Sequence, residues 1–387
     1  MEIKQVIVNQ MHDVKLIIGN GYDLFCELET KYSDFFNFRN FKSSIDKWKD
    51  LFSNNVFYYA GMNSNITSRN DSWVEPESFS KLNFWDFFFY FASESNSKSM
   101  DSWQWCDVEL VMAEWLSDSS VKKGIGFPLI YKLCHGDNLH NEPLESVYYL
   151  ASVIIRKNGE QKYDDKAKFY DFLLSELKEF EQVFGKYITM QQFHESGYAI
   201  KPLFSMHSKS ALEKLCNIDS LVSIDTFNFG LLGVKELEDL VHHINGDTEY
   251  PIFGVDSDLF LAPDSRYIFT KTSRRMELDM KRDDSEELKT CENVIVFGCS
   301  LASSDYSYFF SIFDKLDITN IDNNHKIIFA YNIYDTEKSD QIKATLMESI
   351  FNLFQEYSRY KGNEKHPNRL LDFLTVQGKI VLFEVRR

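Results

Sequence analysis

The chain has 387 residues, of which 44% are hydrophobic and 16% aromatic, and this composition is typical of a folded globular protein rather than a disordered one. The 59 acidic residues outnumber the 42 basic ones, and the formal net charge of −17 disfavours binding to nucleic acid or to an anionic membrane surface. Six dispersed cysteines without a CxxC pair predict neither a structural zinc site nor a disulfide framework. The first residues lack the pattern of a signal peptide, and no window approaches the ~18 uninterrupted apolar residues of a membrane span, so we expect a cytoplasmic protein.

The first predicted element is a short buried strand that runs into a glycine turn. The apolar run Val14–Ile18 is followed by Gly19-Asn20-Gly21 and then by an amphipathic helical pattern. Such a strand–turn–helix junction suits a nucleotide phosphate, and Asp23 just beyond it can accept a ribose hydroxyl or hold a basic partner. The alternative is a plain tight turn with Asp23 stabilising the first helical turn, since the third glycine of the dinucleotide fingerprint is replaced by Leu24.

The middle of the chain is predicted to be helical and rich in aromatic residues. Residues 53–80 are polar and indicate a loop or insertion, and residues 82–116 show a helical pattern crowded with Phe and Trp. We interpret these aromatics as core or interface packing. Residues 117–143 are predicted to be irregular, and helices are predicted over 144–156 and 163–190.

From residue 212 onward, short β-rich runs alternate with helical patterns. Strands are predicted over residues 221–229, 240–244, 250–255, 293–297, 326–331 and 379–385. Helices are predicted over residues 231–240, 305–316 and 342–361. The alternation predicts an α/β, Rossmann-like fold with a mostly parallel sheet, into which a large aromatic-rich helical insertion is placed. The expected organisation is a core beginning with 1–52, a helical insertion over 53–211, and the remainder of the core over 212–387.

Small polar residues follow the ends of several predicted strands. The turns in question are Gly19-Asn20-Gly21 with Asp23, Thr226-Phe227-Asn228, Asn245-Gly246-Asp247, and Gly298-Cys299-Ser300 with Asp305. Each turn by itself is compatible with a purely structural role. Because ligands of parallel sheets bind where the carboxyl ends of the strands meet, we predict that these turns converge on one ligand site.

The opening LIIGNGYDLFCELETKYSDFF resembles the signature of the AbiH family of bacterial abortive-infection proteins, which defend against bacteriophage. Later motifs occur in the family's order: Trp105-Cys106-Asp107-Val108-Glu109, Thr226-Phe227-Asn228-Phe229, Ile252-Phe253-Gly254-Val255-Asp256, and Gly298-Cys299-Ser300-Leu301 with Asp305. The chain departs from the family where Asn245-Gly246 replaces a His-Gly pair. His243 lies two residues earlier, on the same face of an extended strand. Gly230 and Cys299 replace the usual Thr and His.

The same motif order is more distantly similar to sirtuin-like domains, which hold NAD on a Rossmann-type sheet and hydrolyse it in bacterial defence versions. This resemblance implies that Asn228 orients the ribose or a water and that Asp23 lies near the ribose and phosphates. The other implied cofactor-binding residues are Gly19, Asn20, Gly21, Gly246, Gly298, Ser300 and Asp305. The implied base is His243, with Asn245 in the place of the family histidine, or a carboxylate supplied by Glu109 or Asp107.

Two functional hypotheses stay open at this point. The first is an antiphage effector that binds a nucleotide, NAD above all, and hydrolyses it on activation; the second is a non-catalytic nucleotide-sensing or assembly module. A third hypothesis, action through protein contacts alone, rests on the aromatic-rich residues 82–116. Expected partners are the nucleotide, a phage-derived trigger or a co-encoded defence protein, and further copies of the chain.

Other chemistry is disfavoured by the motifs. Nucleic acid is not expected as a ligand, because the basic run 271–275 is short and lies beside acidic residues. No metal site is predicted, since His140, His194 and His207 lack ligand spacing, and no G-x-S-x-G hydrolase motif occurs.

Overall fold

The computed structural model divides the chain into two compact units. It describes residues 11–39, 45–46, 82–95, 105–137, 143–158, 163, 165–194, 199–260, 263–278, 291–333, 336–362 and 368–386. The first unit comprises Met1–Thr30, Gly185–Pro251 and Asp279–Arg387, and the second comprises Lys31–Phe184 and Ile252–Leu278. The predicted loop over residues 53–80 lies outside the described residues.

The strands of the first unit form one parallel sheet. In chain order they are β1 (Val14–Ile18), β2 (Leu221–Thr226), β3 (Val241–His243), β4 (Asn293–Phe297), β5 (Lys326–Asn332) and β6 (Ile380–Val385). Their order across the sheet is β3-β2-β1-β4-β5-β6, and all described pairs are parallel. This is the order of a doubly wound Rossmann sheet, so the predicted fold class is confirmed. Ile18 at the end of β1 is in register with Thr226 of β2 and Phe297 of β4, which brings three strand ends to one edge.

The helices are α1 (Asn20–Phe25), α2 (Tyr32–Arg39), α3 (Phe84–Ser95), α4 (Trp105–Leu116), α5 (Phe127–His135), α6 (Glu145–Lys157), α7 (Lys166–Gln192), α8 (Pro202–Leu215), α9 (Lys271–Glu277), α10 (Tyr306–Lys315), α11 (Ser339–Tyr360) and α12 (Arg369–Val376). From Gly185 onward, the residues of α7 belong to the first unit. Short 3-10 turns connect several elements, among them Lys235–Leu240 and Ser303–Asp305.

Both faces of β1 and β4 are buried, which explains why these strands are apolar apart from Lys15 and Asn293. Alternate residues of β1 point to opposite faces, and each face joins a different cluster. The first cluster contains Leu16 and Ile18 with Leu212 and Leu215 of α8. The second contains Ile17 with Phe309, Phe313, Leu353 and Phe354 of α10 and α11. Helices therefore cover both faces and leave the carboxyl edge as the place for polar residues.

The second unit has an aromatic core. Each residue from Phe84 to Phe91 is buried. The indole of Trp85 lies 5.0 Å from the ring of Phe88 and 5.7 Å from that of Phe127, and the Phe88 ring meets Trp115 edge-on at 5.4 Å. Edge-to-face contacts of this kind stabilise aromatic cores. The interpretation of these aromatics as core packing is confirmed.

Several predictions of secondary structure are wrong. The strand predicted over residues 250–255 is absent, and Val255 forms only an isolated bridge with Thr270. Pro251 has no N–H to donate, and the N–H of Phe253 bonds the carboxylate of Glu181 at 2.7 Å instead of a neighbouring strand.

Two helical predictions also differ. The region predicted to be irregular contains α5, which has a proline in its first turn and ends at Gly136 in the left-handed conformation. The helix predicted over residues 231–240 is only the 3-10 turn Lys235–Leu240. The strand predicted over residues 221–229 ends at Thr226, because the chain then turns toward the sheet edge.

Candidate functional site

At the carboxyl edge of the sheet, the turn after β1 rests directly on the turn after β4. The N–H of Gly19 donates to the carbonyl of Phe297 at 3.0 Å, and that of Gly21 donates to the carbonyl of Gly298 at 2.9 Å. A Cβ atom on Gly21 would lie 2.5 Å from the Cα atom of Gly298. Gly298 itself has a φ of +70°, which other residues adopt only with strain. The glycines of both motifs are therefore required for the close approach of two backbone segments.

Asp23 lies in α1, immediately behind this turn. Its side chain is 4% exposed, and its Oδ1 accepts a hydrogen bond of 2.9 Å from the Nδ2 amide of Asn228. Within the described chain, no lysine, arginine or histidine pairs with it. Burial without a cation raises the pKa of Asp23 to about 7, although the hydrogen bond from Asn228 opposes this effect. A carboxyl with this pKa exchanges its proton near neutral pH.

Asn228 follows β2, and hydrogen bonds donated by backbone N–H groups fix its position. The N–H of Phe227 donates to the carbonyl of Ile18 at 2.9 Å, and the N–H of Asn228 donates to Thr226 Oγ1 at 3.0 Å. These bonds aim the Asn228 amide at the turn after β1, where Nδ2 also donates to the Gly19 carbonyl at 3.2 Å. Both amide hydrogens are thereby used. The amide oxygen receives no hydrogen bond from the described residues.

His243, the last residue of β3, joins the same group through the backbone. Its Nδ1 lies 3.0 Å from the carbonyl oxygen of Asn228. A carbonyl can only accept, so Nδ1 carries a hydrogen in either charge state of the ring. In the neutral imidazole, the lone pair is therefore on Nε2, the nitrogen that can take up a proton.

Asp23 and Asn228 border a small crevice, and His243 is not among its lining residues. It is lined by Ile18, Tyr22, Asp23, Thr226, Asn228, Gly230, Leu231, Leu232 and Val241, and its open volume is about 190 Å³. This volume includes space that is open to solvent, so the crevice is a shallow depression rather than an enclosed ligand pocket. None of the described lining residues is a lysine or arginine.

One wall of the crevice is held by side chains that no sequence pattern pointed to. Gln192 at the end of α7 bonds both backbone groups of Leu231, each at 2.9 Å. The hydroxyl of Ser208 in α8 donates to the carbonyl of Leu232 and lies 2.5 Å from the hydroxyl of Tyr22. These contacts join residues far apart in the chain and leave no local signal in the sequence.

A buried ionic group lies in the strands that lead to the crevice. The ammonium of Lys15 is 2.8 Å from Asp225 Oδ1 and 2.7 Å from the hydroxyl of Ser223. The hydroxyl of Tyr308 donates to the other oxygen of Asp225, and His242 Nδ1 lies 3.7 Å from Oδ1. In the sequence, this ionic group is indicated only by a lysine inside an otherwise apolar strand.

Other predicted site residues take different positions. Asn20 Oδ1 accepts a hydrogen bond of 2.7 Å from the hydroxyl of Thr30. Asn245 is buried in the turn after β3, where Gly246 has a φ of +82°. Ser300 is exposed and Asp305 half-buried in the segment after β4. Their roles in binding stay predictions.

Glu109 belongs to the second unit, where its carboxylate pairs with the ammonium of Lys271 at 2.8 Å. Arg274 pairs with Glu181 at 2.7 Å, and both cations are buried. Two of the three cations of the basic run 271–275 are thus internal ion pairs rather than an exposed patch. The catalytic role of Glu109 stays a prediction, and the side chain of Asp107 lies outside the described residues.

The described part of the chain contains neither a candidate metal-binding cluster nor a candidate membrane-spanning helix. No cluster of three or more His, Cys, Asp or Glu side chains there could hold a metal ion. No described helix combines the length and apolarity needed to cross a bilayer.

Comparison with known proteins identifies the family. Residues 16–330 match the family described as bacteriophage abortive infection AbiH. Comparisons with curated proteins and with solved structures found no match. The sirtuin-like similarity stays a prediction. Because the match covers most of the chain, including the end of β1, the Asn228 segment and the turn after β4, the protein belongs to the AbiH family and has a role in bacteriophage abortive infection.

Proposed function

We propose that the crevice around Asp23 and Asn228 binds the ribosyl end of NAD or a related nucleotide and hydrolyses its N-glycosidic bond. The observation that carries the proposal is a buried carboxyl at the carboxyl edge of a Rossmann sheet, which is held by an asparagine amide and has no cationic partner among the residues that the structure describes. Burying such a group costs stability, so its presence favours a functional role. Nucleotides bind at this edge in many doubly wound sheets.

The reaction breaks the bond between ribose C1′ and the nicotinamide nitrogen. The electron pair of that bond stays on nicotinamide, which leaves as a neutral molecule, and the ribose passes through a state with positive charge at C1′. Water then adds its oxygen to C1′ and loses one proton, so the products are nicotinamide, ADP-ribose and H⁺. Ionised Asp23 stabilises the positive charge, because a carboxylate in a desolvated site acts strongly on a nearby cation.

The proton of the attacking water passes to His243 Nε2 in this mechanism. That nitrogen holds the free lone pair, since Nδ1 donates to the Asn228 carbonyl. The free oxygen of the Asn228 amide accepts a hydrogen bond from a ribose hydroxyl or from the water. Asn228 thus orients both Asp23 and the substrate.

Because unchecked NAD depletion would kill the host, we propose that hydrolysis requires activation by a phage-derived trigger or a co-encoded partner in the bacterial cytoplasm. Self-association of the chain is part of the same proposal.

The second candidate function is a nucleotide sensor that binds without turnover. Two observations favour it: the crevice is small, and Asn245 stands where a histidine base is expected. An amide does not accept a proton at neutral pH, so turnover then depends on His243 alone.

The test is release of nicotinamide from NAD by the purified full chain, followed by chromatography, with binding measured in parallel by calorimetry. We expect His243→Gln to lower the rate by about 10²–10⁴-fold, the usual contribution of a general base, and Asp23→Asn to lower it by about 10²–10³-fold, the usual contribution of a group that stabilises transition-state charge. His325→Gln is the matched control for His243→Gln, because His325 Nδ1 also lies against a backbone carbonyl, that of Leu316, at 2.6 Å.

Three outcomes separate the hypotheses. Turnover that falls in both site variants but not in the control supports the enzyme. Binding of NAD without release of nicotinamide supports the sensor. Absence of both, including with phage-infected lysate added as activator, contradicts both.

A further inference from the structure

The turn after β1 differs from a phosphate-binding turn, although its sequence resembles one. Phosphate-binding turns present free backbone N–H groups to the anion. Here the N–H groups of Gly19, Gly21 and Tyr22 donate to the carbonyls of Phe297, Gly298 and Gly19 at 3.0, 2.9 and 2.8 Å. A phosphate could use them only by breaking the contact between the turns after β1 and β4.

The charges around the crevice also disfavour a phosphate. The described lining contains no lysine or arginine, and its one carboxyl is Asp23. Asp305 adds a second acid to the segment after β4, close enough to Cys299 to help raise the pKa of that thiol. Phosphate oxygens would therefore meet like charge without a compensating cation.

The remaining chemistry of the crevice suits a nucleoside without phosphates. The second oxygen of Asp23 and the amide oxygen of Asn228 accept hydrogen bonds, which ribose hydroxyls can donate. Ile18, Leu232 and Val241 supply an apolar wall for a base.

We infer that the crevice recognises the ribose and base of its ligand and gains no affinity from the phosphates, which remain in solvent. This inference rests on the proposed function. It implies that a nucleoside with the same glycosidic bond, such as nicotinamide riboside, binds as well as NAD. Hydrolysis of the riboside has the same balance: C1′–N breaks, water adds at C1′, and nicotinamide, ribose and H⁺ result.

The experiment compares NAD, nicotinamide riboside and inorganic pyrophosphate as ligands of the full chain by calorimetry at about 50 mM and about 200 mM salt, a range over which screening of exposed charges changes strongly. We expect the Kd values of NAD and the riboside to agree within about threefold, a difference well below one 1.4 kcal/mol step. NAD should not bind more tightly at the lower salt concentration, and pyrophosphate should not displace NAD.

Asp23→Asn gives a second, independent reading. Because Asp23 contacts the ribose in this arrangement, the substitution should weaken NAD and the riboside by the same factor. Asn293→Asp is the control, since Asn293 is also a buried residue of the first unit but donates to the backbone carbonyl of His12 at the opposite end of β4. It should leave both Kd values unchanged.

Several results would overturn the inference. Three results would place the phosphates beside the crevice and leave the proposed function intact. They are a riboside Kd more than about tenfold weaker than that of NAD, competition by pyrophosphate, and a gain in affinity for NAD alone in Asp23→Asn. If neither NAD nor the riboside binds, the proposed function and the inference both fail.

Discussion

Replacing Asp23 with asparagine tests whether this carboxyl is as desolvated as its surroundings indicate. Burial raises its pKa from 3.8 to about 7 in the folded protein. The folded state therefore binds the proton more tightly than the unfolded state does. The resulting stabilisation is complete below the unfolded pKa and is lost as the pH rises through the folded pKa. Asparagine keeps the shape and can still accept the hydrogen bond from Asn228, but it does not titrate.

The size of the effect follows from the two pKa values. The two pKa values differ by about 3, and a pKa difference of one corresponds to about 1.4 kcal/mol. The free energy of unfolding of the wild type therefore falls by about 4 kcal/mol in total as the pH rises. About 3 kcal/mol of this falls between pH 5 and pH 9. The free energy of unfolding of Asp23→Asn minus that of the wild type should therefore rise by about 3 kcal/mol over this range. Other titrating groups cancel in the difference.

Urea unfolding at several pH values measures this difference. All six tryptophans lie between residues 48 and 115 and so belong to the second unit. Their fluorescence reports that unit, and far-UV circular dichroism is needed to follow the sheet around Asp23. The control is Asp118→Asn, because hydrogen bonds from Arg266 lower the pKa of Asp118 and its titration lies below this range. A difference for Asp23→Asn that is flat or falls with rising pH would refute the reasoning.

Three further predictions concern the same framework. Asn228→Ala removes the donor that lowers the pKa of Asp23, so the acid limb of activity against pH, where Asp23 ionises, should move to higher pH, as a pH–rate profile would show; an unchanged midpoint would contradict this role. Gly298→Ala should destabilise the first unit well beyond Gly378→Ala, since both have φ near +70° but only at Gly298 would a Cβ meet backbone within 3 Å; equal losses in urea unfolding would exclude the close-approach argument. Lys15→Met should cost about 3–5 kcal/mol because it leaves the buried aspartate of β2 without its cation, and a loss under about 1 kcal/mol would show that this carboxyl is already neutral.

The strands at the centre of the sheet could be predicted from the sequence. β1 and β4 are buried on both faces, so each is a largely apolar run that is followed by glycine, and the predicted residues of β4 agree with the structure. Residues 250–255 looked similar and form no strand, because local β propensity does not decide whether a neighbouring strand is available. The sequence pattern does not predict helix α5, because its nine residues are stabilised by packing within the second unit rather than by a long periodic pattern.

By itself, the sequence determined the family, the parallel α/β sheet and the residue types at the strand ends, because these depend on local patterns and on motif order. Only the tertiary structure decided that Asp23 is buried, that among the described residues Asn228 rather than a cation holds it, and that Gly19 and Gly21 donate their N–H groups to the carbonyls of Phe297 and Gly298. Those contacts join residues about 200 or more positions apart. Whether a carboxyl is paired or desolvated depends on what surrounds it in space, and that information is absent from its neighbours in the chain.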